Sequence, residues 1–254
     1  DKIGKGPVNS YDLTIKTLFE VQDSIAPHCL KVLPLEPKRK LQKFVIGSQK
    51  VMEIWECKKG EMKNVFKSDP LSRIDSHFIS RIMISIVNEE KFSIFFSIGG
   101  QIRAITKKGK QFFQIDTSHV NTISSIHVLG QQLWSASEYS LNCYESVAEK
   151  IIDKYYYVCD DKINDFIIAP VQHSTAVNAI MACQDKQLRV LNEKGDKVIY
   201  YHPFEAACTA ISLCDDLSEK SAPVIGYGLS NGGIGVLELL REEIKVMWSF
   251  EAHQ

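Results

Sequence analysis

The sequence predicts an all-β protein, a β-propeller built from four-stranded antiparallel blades. Three observations predict it. A unit of apolar segments separated by polar turns recurs five times along the chain. Within the units apolar and polar residues alternate over short runs, the period of a half-buried strand and not of a helix. The central turn of the unit returns at Gln49, Gly100, Glu138, Asp185 and Gly232, at intervals of 51, 38, 47 and 47 residues. These average about 46, and propeller blades run about 40 to 50 residues.

The first unit reads Lys43-Phe-Val-Ile-Gly-Ser48, a break at Gln49-Lys50, Val51-Met-Glu-Ile-Trp-Glu-Cys57, a Lys58-Lys59-Gly60 turn, and Glu61-Met-Lys-Asn-Val-Phe-Lys67. The second has Phe92 to Ser97, Gly99-Gly100, Gln101 to Thr106, Lys107-Lys108-Gly109 and Lys110 to Ile115. The third has Gln132 to Ser137, Glu138-Tyr139, Ser140 to Tyr144, a longer connection through Lys150, and Lys154 to Val158. The fourth has Ala179 to Cys183, Gln184-Asp185, Lys186 to Leu191, Glu193-Lys194-Gly195 and Lys197 to Tyr201. The fifth has Val224 to Gly228, Ser230-Asn231-Gly232, Gly233 to Glu238 and Ile244 to Phe250. A further alternating segment precedes units two to five at Arg81–Val87, Ile123–Val128, Ile163–Ala169 and Cys208–Leu213, and Cys29–Leu33 takes that role in unit one. The predicted blades are therefore 29–68, 73–117, 122–158, 163–204 and 207–251, all within one domain.

Glycine at the strand ends suits hairpin turns, because it accepts the positive φ that short turns require. A β-sandwich is the competing fold, but it needs no fixed four-strand period and would not repeat one turn at one place in every unit. Two segments, Ser146–Asp153 and Leu237–Glu243, have some helical character, the second overlapping a strand-and-turn position of the repeat.

Of the 254 residues 44% are hydrophobic and 24% charged, the balance of a folded globular protein. A net charge of -1 supplies no global field toward nucleic acid or an anionic membrane, so such binding requires a local patch. The seven cysteines are an odd count without a C-x-x-C pair, and there is no N-x-S/T sequon, which predicts reduced cysteines in the strands and core of a cytosolic protein. No apolar run reaches the length of a membrane-spanning helix, and the N-terminus has no signal-peptide core and no initiator Met, as in a trimmed fragment.

Catalytic, cofactor and metal motifs are absent, and no residue is assigned to any of these roles. Gly226-Tyr-Gly228-Leu-Ser-Asn-Gly232 has the wrong spacing for a dinucleotide fingerprint and leads into a strand, so it reads as a hairpin. The histidines at 28, 77, 119, 127, 173, 202 and 253 are scattered, with no ligand spacing among them. Asp160-Asp161 and Asp215-Asp216 are adjacent carboxylates in polar connections and read as solvated loop charge. The expected innermost strands are mostly apolar, unlike the channel of a propeller hydrolase. The densest basic cluster, Lys38-Arg39-Lys40, is the candidate interface, for an acidic lipid headgroup or an acidic partner surface, against the plainer reading of a solvated loop. Lys58-Lys59 and Lys107-Lys108 read as turn residues that guard hairpin ends.

Ile105-Thr-Lys-Lys-Gly-Lys-Gln-Phe-Phe113, Asp161-Lys-Ile-Asn-Asp-Phe-Ile-Ile-Ala-Pro-Val171 and above all Ala182-Cys-Gln-Asp-Lys-Gln-Leu-Arg-Val-Leu191 resemble the amino-terminal propeller of the Bardet-Biedl syndrome 7 family. Glu56-Cys-Lys-Lys-Gly-Glu61, Val65-Phe-Lys67 and Gly228-Leu-Ser-Asn-Gly232 follow in order and spacing; Val87–Lys91 and Val147–Lys154 depart from the pattern. The resemblance implies a non-enzymatic scaffold subunit of the BBSome, the coat-like complex that carries membrane proteins to and from cilia. It implies as partners the other BBSome subunits, cargo tails and an Arf-like GTPase, with peripheral membrane contact and no nucleic acid, in the cytoplasm, cilium and basal body. It also implies a seven-bladed ring followed by a coiled coil and later domains, so five units predict an incomplete ring, poorly soluble alone. The rivals are a propeller adaptor of another vesicle or intraflagellar-transport coat, and a propeller enzyme or ligand-binding protein.

Overall fold

The computed structural model describes residues 17, 20, 24–35, 41–88, 91–148, 150–170, 177–214, 222–240 and 243–251. They form five four-stranded antiparallel sheets, each a simple meander in chain order. Blade 1 comprises β1 (Ile25–Val32), β2 (Gln42–Ser48), β3 (Val51–Lys58) and β4 (Glu61–Lys67). Blade 2 comprises β5 (Ile79–Asn88), β6 (Lys91–Ile98), β7 (Gln101–Thr106) and β8 (Gln111–Asp116). Blade 3 comprises β9 (Ser125–Leu129), β10 (Gln132–Ser137), β11 (Ser140–Val147) and β12 (Lys150–Val158). Blade 4 comprises β13 (Ile163–Pro170), β14 (Val177–Cys183), β15 (Gln187–Leu191) and β16 (Val198–Pro203). Blade 5 comprises β17 (Cys208–Leu213), β18 (Val224–Leu229), β19 (Gly233–Leu239) and β20 (Ile244–Glu251).

The first strands of successive blades lie side by side, β1 by β5, β5 by β9, β9 by β13 and β13 by β17, so they form the inner wall. Alternation then sends one set of side chains to each neighbouring blade. The result is four separate apolar clusters, one for each blade junction. Cys29, Val45 and Ile54 meet Ile82, Ile94 and Phe96 between blades 1 and 2. Ile102 and Phe95 meet Ile126 and Leu133 between blades 2 and 3. Trp134 and Leu141 meet Phe166 and Met181 between blades 3 and 4. Ile180 and Val190 meet Ile211, Ile225 and Leu237 between blades 4 and 5.

Among the described residues no neighbouring blade lies against the two outward faces at the ends of this series, although Ile46 and Glu53 on the blade 1 side are buried. On blade 5, Ile234 pairs with Phe250 and Val236 with Trp248, and Ile234, Trp248 and Phe250 are exposed. On blade 1, Leu30 pairs with Ile46 and Val32 with Phe44, and Leu30 and Val32 are exposed.

A turn-to-ring contact also recurs between blades. Gly109, in the β7–β8 turn at φ 84, faces the Phe66 ring of blade 1, and Gly195, in the β15–β16 turn at φ 66, faces Tyr155 of blade 3. A side chain at either glycine would meet the ring.

The structure departs from the sequence expectation in three places. The first strand begins at Ile25 rather than near Cys29, because a register shift between Ile25 and Leu30, with His28 at φ 65, breaks the alternation. The segment Ser146–Asp153 is not helical: Val147 pairs with Lys150 across the β11–β12 hairpin, apart from Glu149, which lies outside the described residues. In the second segment Leu237–Leu239 is strand and Leu239 pairs with Ile244 across the β19–β20 hairpin, apart from Arg241 and Glu242, which lie outside the described residues.

Candidate functional site

The polar centre of the molecule lies on the inner wall, where the sequence pattern indicates mostly apolar strands. Asp165 of β13 is buried, and its carboxylate collects donors from four blades. Arg81 of β5 donates from Nη2 to Oδ1 at 3.2 Å, Ser125 of β9 from Oγ at 3.3 Å, and the Phe166 amide at 3.0 Å. The Ile211 amide of β17 donates to Oδ2 at 3.3 Å. Two backbone amides, a hydroxyl and a guanidinium satisfy this carboxylate, which suits it to fastening blades rather than abstracting a substrate proton.

Around it stand His28 and Lys31 of β1 and His127 of β9, which share one open hollow with Arg81 and Asp165. The His127 ring lies edge-on to Phe166 at 4.8 Å. Burial, with the Arg81 charge second, holds the His127 imidazole down at about 4, so it is neutral at physiological pH. Burial and then Arg81 also lower His28 and Lys31. Arg81, His127 and Asp165 are each the third residue of their blade's first strand, β5, β9 and β13. Superposing the five units in sequence and asking which first-strand positions are polar is the signal that finds them.

The remaining sequence candidates separate. Lys38, Arg39 and Lys40 lie outside the described residues, as do Asp215-Asp216, His173 and His253. Asp160 is exposed, and Asp161 accepts the Lys162 amide within its own connection at 2.7 Å. Gly226 and Gly228 are in β18, Gly232 is in the hairpin turn at φ 87, and β19 follows. His119 is buried between Ser140 and Ser135, at 2.8 Å from each hydroxyl. Among the described residues no three His, Cys, Asp or Glu side chains gather where a metal ion could sit, and no helix is long and apolar enough to cross a membrane. Lys59 and Lys107-Lys108 lie in the turns expected of them, while Lys58 ends β3 and pairs with Glu61.

The fold is similar to that of the yeast protein Sqt1 from Saccharomyces cerevisiae, with a TM-score of 0.60 over 90% of this chain and 64% of that one, at 13% identity. Sequence relatives are more specific. The chain is 32% identical over 231 residues to the mouse BBSome complex member BBS7, which covers 90% of this chain and 31% of the mouse protein. It is 21% identical over 227 residues to the Caenorhabditis elegans BBSome complex member bbs-7, covering 88% of this chain and 30% of the worm protein. The chain thus spans about a third of the length of these relatives. The family model described as the BBS7 beta-propeller matches residues 30–254, which takes in all the strands of blades 2 to 5 and most of blade 1. With five four-stranded blades in chain order beneath that match, the chain belongs to the BBS7 beta-propeller family.

Proposed function

We propose that the chain is a non-catalytic scaffold propeller of a BBSome, holding loops and sheet faces in fixed relation for other subunits, cargo tails and an Arf-like GTPase. Membership of the family and the names of the mouse and worm relatives support the BBSome assignment. The observation that carries the scaffold reading is the state of Asp165. The channel carboxylate is consumed in joining blades 2 to 5, and the groups beside it are a paired guanidinium and a histidine held neutral. A rigid frame with function on its edges is what such an arrangement provides.

The exposed Trp248 and Phe250 on one end face and Leu30 and Val32 on the other support a second part of the proposal. Further blades cover them in a seven-bladed ring, since both faces of a blade are normally buried against its neighbours. The Lys38-Arg39-Lys40 segment is proposed as a subunit or membrane contact, and the place of work as the cytoplasm, cilium and basal body.

Affinity purification of the intact protein from ciliated cells tests the assignment. Recovery of the other BBSome subunits is the expected outcome. Recovery of a different vesicle or intraflagellar-transport coat in their place overturns it. Reversing Lys38, Arg39 and Lys40 to Glu should reduce partner or liposome binding, and unchanged binding removes that segment from the interface.

A further inference from the structure

The start of β6 and the β7–β8 connection meet at one end of blade 2 and border an open hollow of about 600 Å3. Its apolar wall includes Phe92 and Phe112, and its rim carries Lys91, Lys107, Lys108 and Lys110. Glu89 and Glu90, which precede Lys91 in sequence, lie outside the described residues. Among the described residues neither Lys108 nor Lys110 has an ion pair.

The hollow is built rather than incidental. Thr106 Oγ1 accepts the amides of Lys108 at 3.4 Å and Lys110 at 3.2 Å. The Thr106 amide donates to the Lys110 carbonyl at 2.9 Å, and the Gly109 amide to the Thr106 carbonyl at 2.8 Å. The Phe66 ring backs the same turn through Gly109. Phe112 is half-exposed yet stands edge-on to Phe95, with ring centroids 6.4 Å apart. The turn and its aromatic wall are therefore ordered before any ligand arrives, which lowers the entropy cost of binding.

An apolar wall ringed by ammonium groups is complementary to an anion that carries a hydrophobic part. The volume suits one or a few side chains. A bilayer surface is flat and would need protruding apolar tips, whereas Phe92 is buried in the wall of a recess. We propose that this hollow docks a short acidic peptide segment of a partner protein. One large apolar side chain enters beside Phe92 and Phe112, and flanking Asp or Glu carboxylates meet Lys108 and Lys110. Only the protein nature of the partner rests on the scaffold reading, and the test needs no other BBSome subunit.

A fluorescent peptide with one Phe flanked on each side by Asp and Glu, titrated into the intact protein, should bind saturably and more weakly as salt rises. Lys108→Glu with Lys110→Glu should weaken it about tenfold or more, as should Phe112→Ser in the protein or Phe→Ala in the peptide. Both changed regions are surface-exposed, and an unchanged melting temperature verifies that the variants fold. Absence of binding by the folded wild-type protein overturns the proposal. So does a preference for vesicles of phosphatidylcholine with phosphatidylserine that the same lysine reversals abolish while the peptide fails to bind. Failure of the peptide test alongside normal BBSome co-purification would remove this site and leave the scaffold assignment standing.

Discussion

Arg81 Nη2 lies 3.2 Å from Asp165 Oδ1 although 84 positions separate the two residues in the chain, and both are largely buried. The pair joins blade 2 to blade 4 across the inner wall, and Ser125 and Ile211 bring blades 3 and 5 to the same carboxylate. Asp165→Asn keeps the shape but leaves the Arg81 charge uncompensated in a poorly solvated place. Breaking one partner of such a pair costs about 3 to 5 kcal/mol. Urea denaturation should show a loss of that order, with Arg81→Met in the same chain restoring part of it. An Asp165→Asn midpoint equal to wild type would mean that the blades are held together without this contact.

Gly109 and Gly60 form a matched pair of turn glycines. Both have strongly positive φ, 84 and 82, but a Cβ at Gly60 meets nothing within 4 Å whereas one at Gly109 overlaps the Phe66 ring. Gly60→Ala should cost about 1 kcal/mol, the conformational term alone. Gly109→Ala should cost about 1 kcal/mol or more beyond that, because the ring belongs to the blade 1–blade 2 core and must shift. Thermal unfolding of the two variants gives the difference directly, and equal losses would mean Phe66 moves aside freely.

Burial of His127 makes stability fall with acid. Its folded-state value of about 4 lies below the ordinary 6.5, so the unfolded chain binds the proton more readily. The stabilisation is fully present above about 6.5 and is lost progressively as pH falls toward about 4, by roughly 3 kcal/mol at most. His119, lowered by burial, acts in the same direction. Melting temperatures from neutral pH down to about 4.5 should decline less steeply for His127→Phe than for wild type. Parallel profiles would mean that His127 is not the group being titrated.

The cysteines should divide by access. Cys214 is exposed and Cys57 half-buried, while Cys29, Cys143 and Cys208 are buried, which pushes their thiols up to about 11, 12 and 12. An alkylating reagent at neutral pH should modify Cys214 and Cys57 first and reach the other three only on unfolding, as counted by peptide mass spectrometry. Cys159 and Cys183 stand apart because their sulfurs lie 3.8 Å from each other. Mild oxidation should therefore link those two in preference to any other pair in one molecule.

What was legible in the sequence, and what was hidden, follows the reach of each interaction. The turns at Gln49, Gly100, Glu138, Asp185 and Gly232 all separate the second and third strands of a blade, because turn chemistry and alternation act over a few neighbouring residues. The helical look of Ser146–Asp153 and Leu237–Glu243 is settled by cross-strand pairing, which a local reading does not contain. Pairing across each hairpin, Val147 with Lys150 and Leu239 with Ile244, decides for strands, and the register shifts at Cys143/Tyr144 and Val236/Leu237 place one extra residue, Lys154 and Met247, in the outer strand beyond each hairpin. The inner-wall cluster left only a faint trace, since Arg81, His127 and Asp165 are each the lone titratable residue of a mostly apolar strand.

By itself the sequence determined five repeating units, four antiparallel strands in each, and the positions of their turns, all properties of short-range periodicity. The tertiary structure decided that Asp165 joins four blades, that Trp248 and Leu30 are exposed on the end blades, and that Phe92 and Phe112 line a lysine-rimmed hollow. Each of these depends on distances between residues far apart in the chain or on the stacking order of sheets. Alternation shows that a strand has two faces, but only the neighbouring blade decides which of them is buried.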